Sequence, residues 1–167
     1  MRISIFNSKE LQGVVIAMKS FERESAKQIR RVTKDVVAPE WTKAVREHAS
    51  TRLQQRVLAD TARVAVSDQN ITLKSAAIGK SLSGGLKPSE GVGGVEFGAN
   101  RAEYTTYRAT STKGKTFNVR RRTKAQLPDR QKTGHAVYPA AASIIPRIAS
   151  LWTQTVVRTF YELIEKR

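Results

Sequence analysis

The stretch IRRVTKDVVAPEWTKAVREHASTRL, residues 29–53, decides the fold. Apolar residues return at Ile29, Val32 and Val36, and again at Trp41, Ala44, Val45, Ala49 and Leu53, with charged residues between them. That spacing of three and four is the rhythm of one buried helical stripe. Upstream, Leu11, Val14, Val15, Met18 and Phe21 carry it back to Ser8, a residue type suited to an N-cap. Pro39 lacks an N–H and biases Ala38 away from helical backbone, yet it also suits the first turn of a new helix. The reading over residues 8–58 is therefore a long helix broken at Pro39.

Beyond this stretch the period changes from helical to alternating. Ala62, Val64 and Val66 share one face of a strand, Ile71 and Leu73 continue the alternation, and Ser67-Asp68-Gln69-Asn70 between them is rich in turn formers, which predicts a hairpin. A glycine-rich loop is expected over 79–94, followed by a strand at Val95-Glu96-Phe97-Gly98. Glu103 to Thr110 is expected to pair with Lys115 to Arg120 around the turn Ser111 to Gly114. Residues 121–137 form a basic loop. Helix returns over 139–165, with a short turn through Ile144 and Ile145, after which Pro146 opens a stripe of Ile148, Leu151, Trp152, Val156, Phe160 and Leu163. A long helix, four or five strands and a closing helix make an α+β fold. The 167 residues, 40% of them hydrophobic, supply one core, so a single domain spans 1–167.

The charge is lopsided. Of a net +16, residues 101–147 contribute +9, from 11 Lys or Arg against 2 acids. Arg120, Arg121, Arg122 and Lys124 are the expected functional charge, with Arg108, Lys113, Lys115, Arg130 and Lys132 in support. Such a surface meets phosphates, docks on an acidic protein, or is a solvated loop. Tyr104, Tyr107 and Phe117 interleave with the cations, a pattern compatible with tracking a nucleic-acid backbone and stacking on its bases; aromatics on a hairpin also brace cross-strand pairs.

Catalytic and metal chemistry find no purchase. Cysteine is absent, which excludes disulfides, thiol nucleophiles and thiolate metal sites. His48 and His135 lack a second ligand at metal spacing. Gly79-Lys80-Ser81 has the end of a phosphate-binding loop, but Lys74 stands where its first glycine belongs. Ser83 lacks the preceding glycine of a nucleophile elbow. Glu96 has no acidic partner nearby and reads as an ion-pairing or hydrogen-bonding residue across a sheet or a subunit boundary. No cofactor and no metal are expected, and the chain is not read as an enzyme. No segment reaches the roughly 18 uninterrupted apolar residues of a membrane helix, and Met1 to Phe6 is too short for the apolar region of a signal peptide. The expected protein is soluble and made in the cytoplasm, without membrane contact. Trp41 and Trp152 read as core or helix-to-helix anchors.

Taken in order, Ala38-Pro39-Glu40-Trp41, Val95-Glu96-Phe97-Gly98-Ala99, the basic hairpin, Tyr138-Pro139-Ala140-Ala141 and Ile145-Pro146-Arg147-Ile148-Ala149-Ser150-Leu151-Trp152 resemble the neck and tail-completion (tail-component) family of long-tailed siphophages. That family is also likened to the lambda minor tail protein Z, and the form here is similar to versions from phages of actinobacteria. The likeness covers roughly residues 20–165. It departs from the family at 60–90, where Gly79-Lys80-Ser81-Leu82 replaces an R-T-G-x-L-R-like turn. The resemblance implies a virion structural protein of the head-to-tail connector, located in the neck or tail. It implies a homo-oligomeric ring around the DNA channel, with adjacent connector and tail proteins as partners and nonspecific contact with packaged DNA. Glu96, Phe97, Tyr138, Trp41 and Trp152 are then expected in subunit or core packing. The alternative is a free nonspecific nucleic-acid-binding protein that uses the basic segment 101–132.

Overall fold

A computed structural model describes residues 1–4 and 23–165. Its element order is β1 (Arg2–Ser4), α1 (Arg23–His48), α2 (Arg52–Gln54) running into a π-helical turn (Gln55–Ala59), β2 (Arg63–Val66), β3 (Ile71–Lys74), α3 (Pro88–Phe97), β4 (Thr105–Thr110), β5 (Thr116–Arg121) and α4 (Val137–Glu165). The expected α+β class holds. The strands, however, form two antiparallel sheets instead of one: a three-stranded sheet in the order β1-β3-β2, and the separate hairpin β4-β5.

Helix α1 passes through Pro39 without interruption, and the break comes instead at Ala49–Thr51. The residues around the break explain its position. The Thr51 hydroxyl accepts the Gln54 N–H at 3.1 Å, while Gln54 Oε1 accepts from the backbone N–H groups of Ser50 and Thr51, both at 3.1 Å. This reciprocal capping box starts a new helix and satisfies donors that would otherwise be orphaned. The helical segment proposed before Arg23, with Ser8 as its cap, lies outside the described residues.

The buried stripe of α1 is Ala26, Ile29, Thr33, Val37, Trp41 and Val45, a spacing of mostly four residues. Val32 and Val36, assigned to the core from the sequence, are more than 40% exposed. Helix α4 buries Val137, Ala140, Ala141, Ile144, Ile148, Trp152 and Val156. It is continuous through Pro146, so the expected short turn and second helix are one element beginning at Val137. The two long helices pack against each other, and Arg147 pairs with Glu40 across them at 3.2 Å. Trp41, fully buried, donates its indole N–H to the Lys74 carbonyl at 3.1 Å and so ties α1 to β3. Both tryptophans belong to the core, as their spacing predicts.

The expected first hairpin is present, with Val64 opposite Leu73 and Val66 opposite Ile71. β1 adds on the far side of β3, where the Met1 ammonium donates to the Ser75 carbonyl at 3.0 Å. Residues 79–94 are not all loop. Pro88 at the start of α3 has its backbone angle already suited to a first turn, and Glu90 follows there. The expected strand Val95-Glu96-Phe97 is therefore the last turn of α3. The apolar-polar-apolar pattern that imitates a strand is the period of a helix end with Val95 and Glu96 turned inward.

Candidate functional site

Two features converge between Glu96 and Tyr138: a buried carboxylate and the base of a cationic arm. Glu96 is fully buried at the end of α3. Its oxygens accept the backbone N–H of Ala136 at 3.2 Å, of Val137 at 3.0 Å and of Tyr138 at 3.1 Å, the orphan donors of the first turn of α4. Thus Glu96 caps a helix forty residues downstream within its own chain. It is not a partner across a sheet, and the macrodipole of α4 favours negative charge at this position.

Glycines make that approach feasible. Gly98, with φ of 71°, lies so near the carbonyl oxygens of Pro128 and Asp129 that a Cβ would overlap them. Gly134, with φ of 77°, sits against the Glu96 carboxylate in the same way. Positive φ and close contact both demand glycine at these positions. The V-E-F-G segment is a clasp: Ala99 N–H donates to Pro128 at 3.0 Å, Gln131 N–H to Phe97 at 2.8 Å and His135 N–H to the Glu96 carbonyl at 2.9 Å. Phe97 and Tyr138 close the outside of the clasp, ring centroids 5.6 Å apart. His135 directs Nε2 to the Asp129 carbonyl at 2.8 Å, and His48 directs Nδ1 to that of Ala44 at 2.9 Å, so each imidazole serves its own local backbone.

Between the two halves of the clasp, the chain leaves as the hairpin β4-β5. Its turn is closed by the Gly114 N–H to the Ser111 carbonyl and the Ser111 N–H to the Lys115 carbonyl, both 2.9 Å, with Gly114 at φ 76°. This is the usual glycine geometry of a three-residue hairpin loop. Not one residue of either strand is buried.

The register sorts the arm into two faces, since directly opposed residues point the same way. One face holds Thr106, Arg108, Thr110, Thr116, Asn118 and Arg120, continued by Tyr104 and Arg122. The guanidinium carbons of Arg120 and Arg122 lie 4.2 and 4.7 Å from the Tyr104 ring centroid, which holds the two cations together over an aromatic platform. The other face carries Tyr107, Ala109, Phe117 and Val119, with Thr105 and Arg121 at its inner end; Tyr107 is 41% and Phe117 49% exposed.

The expected cations therefore divide. Arg108, Arg120 and Arg122 share the polar face, Lys113 and Lys115 stand at the tip, and Arg121 belongs to the apolar side. Lys124 is engaged within the chain, paired with Glu103 at 2.8 Å. Arg130 and Lys132 are exposed on the returning segment of the clasp.

What sequence reasoning missed is the role of Glu96 and the glycines beside it. A carboxylate inside an apolar segment, followed two residues later by glycine, was the available signal. Comparison with known families, characterised proteins and solved structures returns no match for this chain. Among the described residues no group of three metal-binding side chains occurs, and no helix is long and apolar enough to cross a membrane.

Proposed function

We propose that this protein is an assembly subunit of a phage head-to-tail connector, a neck or tail-completion component that forms a homo-oligomeric ring and uses the arm at residues 101–132 to engage its neighbours. The observation that carries the reading is the two-faced hairpin. An isolated two-stranded hairpin is marginal in water unless one face is covered. Here the apolar face formed by Tyr107, Phe117 and Val119 projects from the scaffold with no buried residue, while its reverse is cationic. A surface of this kind completes its fold against another protein. The order of long helix, small sheet, basic arm and closing helix supports this reading, whereas the expected V-E-F-G strand, which is the end of α3, does not.

Free nucleic-acid binding is the weaker reading. Stacking on bases and neutralising phosphates from one strand require aromatics and cations on a common face. In the arm, Tyr104 is already covered by Arg120 and Arg122, and Tyr107 and Phe117 point the opposite way. Contact with packaged DNA in a channel remains compatible with the polar face, because it needs charge alone.

The test is the size of the purified protein by native mass spectrometry and negative-stain imaging, for the parent and for Tyr107→Ser with Phe117→Ser. The parent should form closed rings, and the double variant should be a folded monomer with unchanged circular dichroism. A parent that is monomeric at every concentration, alone and among virion proteins, defeats the proposal.

A further inference from the structure

Among the described residues β2 is an edge strand of the three-stranded sheet, and a groove runs beside it. The Ser67 N–H donates to the Asn70 carbonyl at 2.8 Å, which fixes the phase of the ladder. Alternation along an antiparallel pair then turns the N–H and C=O of Ala65 and Arg63 toward β3, and those of Val66 and Val64 outward. The same phase returns on the other side of β3, where Ser75 and Met1 exchange bonds. Among the described residues, the outward groups of Val64 and Val66 meet no protein partner.

Alongside this edge lies a groove of about 760 Å³ between β2 and α1. Its floor includes Ala38, Pro39 and Val64. Four cations, Lys34, Lys43, Arg46 and Arg63, line it against one acid, Glu47. Arg46 is paired with Asp60 at 3.0 Å; the other three cations have no acidic partner among the described residues. Pro39 contributes apolar surface to the groove without a helix N–H, and this is a use for a residue that the helix itself does not need.

From these features we infer that the β2 edge is a docking site for an extended acidic segment of another protein, which adds as a fourth strand beside β2. Main-chain bonds to Val64 and Val66 supply the affinity, as in strand addition generally. Alternate apolar side chains enter the groove over Ala38 and Pro39, and the acidic ones meet Arg63, Lys34 and Lys43. A second copy of this chain is the poorer occupant, because its own projecting arm is cationic and would face the cationic rim. The site is distinct from the arm and does not depend on how the arm is used.

The probe is a fluorescent octapeptide of alternating Val and Glu, with the Val and Lys peptide as its control, titrated against the full chain by fluorescence anisotropy and by amide chemical shifts. The acidic peptide should bind more tightly than the basic one by about tenfold or more, the size expected of two or three exposed ion pairs, and should shift the amides of Val64 and Val66. Val66→Pro removes an outward N–H that β3 does not use, a change edge strands tolerate. It should abolish binding without altering thermal unfolding, and Lys43→Glu with Arg63→Glu should reverse the peptide preference. Equal affinity for the two peptides, unmoved Val64 and Val66 amides, or full binding by Val66→Pro would each overturn the assignment. So would sedimentation showing self-association of the parent that Val66→Pro removes, since the edge would then belong to a second copy.

Discussion

Replacing Glu96 by Ala should remove a large part of the stability of this protein. Two of the N–H groups that its oxygens accept, those of Ala136 and Val137, belong to residues that are at most 1% exposed, so water cannot take over when the carboxylate goes. A buried donor left unsatisfied costs about 1–3 kcal/mol, which gives roughly 2–6 kcal/mol for the pair. Removing the carboxylate also relieves the cost of having dehydrated it, which works in the other direction. Adopting about 3–4 kcal/mol, against a total of about 5–15 kcal/mol for a domain of ordinary stability, the urea midpoint should fall by about a fifth or more. The thermal midpoint should drop by roughly 6–16 °C. Glu96→Gln retains one acceptor but turns an amide NH₂ toward backbone donors, and should lose about 2–3 kcal/mol. Equilibrium urea unfolding followed at 222 nm checks both, with the slope compared to establish that the same transition is measured. An alanine variant within about 1 kcal/mol of the parent, with its helix content intact, would refute the claim that Glu96 holds the start of α4.

Gly98→Ala should be destabilised by about 2 kcal/mol or more, since a backbone at φ 71° and ψ −173° is open essentially to glycine alone and costs other residues about 1–3 kcal/mol, and the added methyl would overlap the Asp129 carbonyl; thermal unfolding measures it, and a neutral result would mean that the clasp yields easily. Asp60→Ala breaks the exposed pair with Arg46 and should change stability by less than about 1 kcal/mol, a contrast that unfolding under the same conditions makes direct. A larger loss there would show that Asp60 does more than meet a solvated guanidinium.

The elements that could be read from the sequence are those whose cause lies within a few residues. The hairpin 63–74 follows from Val64, Val66, Ile71 and Leu73 with a turn between them, and the arm follows from its own alternation and Gly114. The amphipathy of α1 and α4 was equally plain. Its phase was less so: Val32 and Val36 sit beside Ile29 on a helical wheel, but the stripe that faces α4 and the sheet passes through Thr33 and Val37, and only packing decides between them. At Pro39 and Pro146 the local preference for a break yields to burial on both sides of each proline, through Val37 and Trp41 and through Ile144 and Ile148. Helix α3 escaped because Gly91, Gly93 and Gly94 imitate a loop. Glu96 is marked by its apolar setting before Gly98, but what it serves is not: the donors are forty residues away, and no local pattern encodes a partner at that distance. Of the candidate surface, the position of the charge was legible, while its division into a cationic and an apolar face required the strand register.

The clasp between Ala99 and Asp129 has one further consequence. Because the chain departs and returns at adjacent points stitched by main-chain bonds, the intervening thirty or so residues form a cassette that the scaffold carries without relying on it. Loop-closure entropy rises slowly with length, so a lineage of such proteins is free to lengthen, shorten or recode the cassette while the rest of the molecule stays as it is. Divergence should therefore concentrate between residues 100 and 128, and Glu96, Gly98 and Gly134 should outlast it.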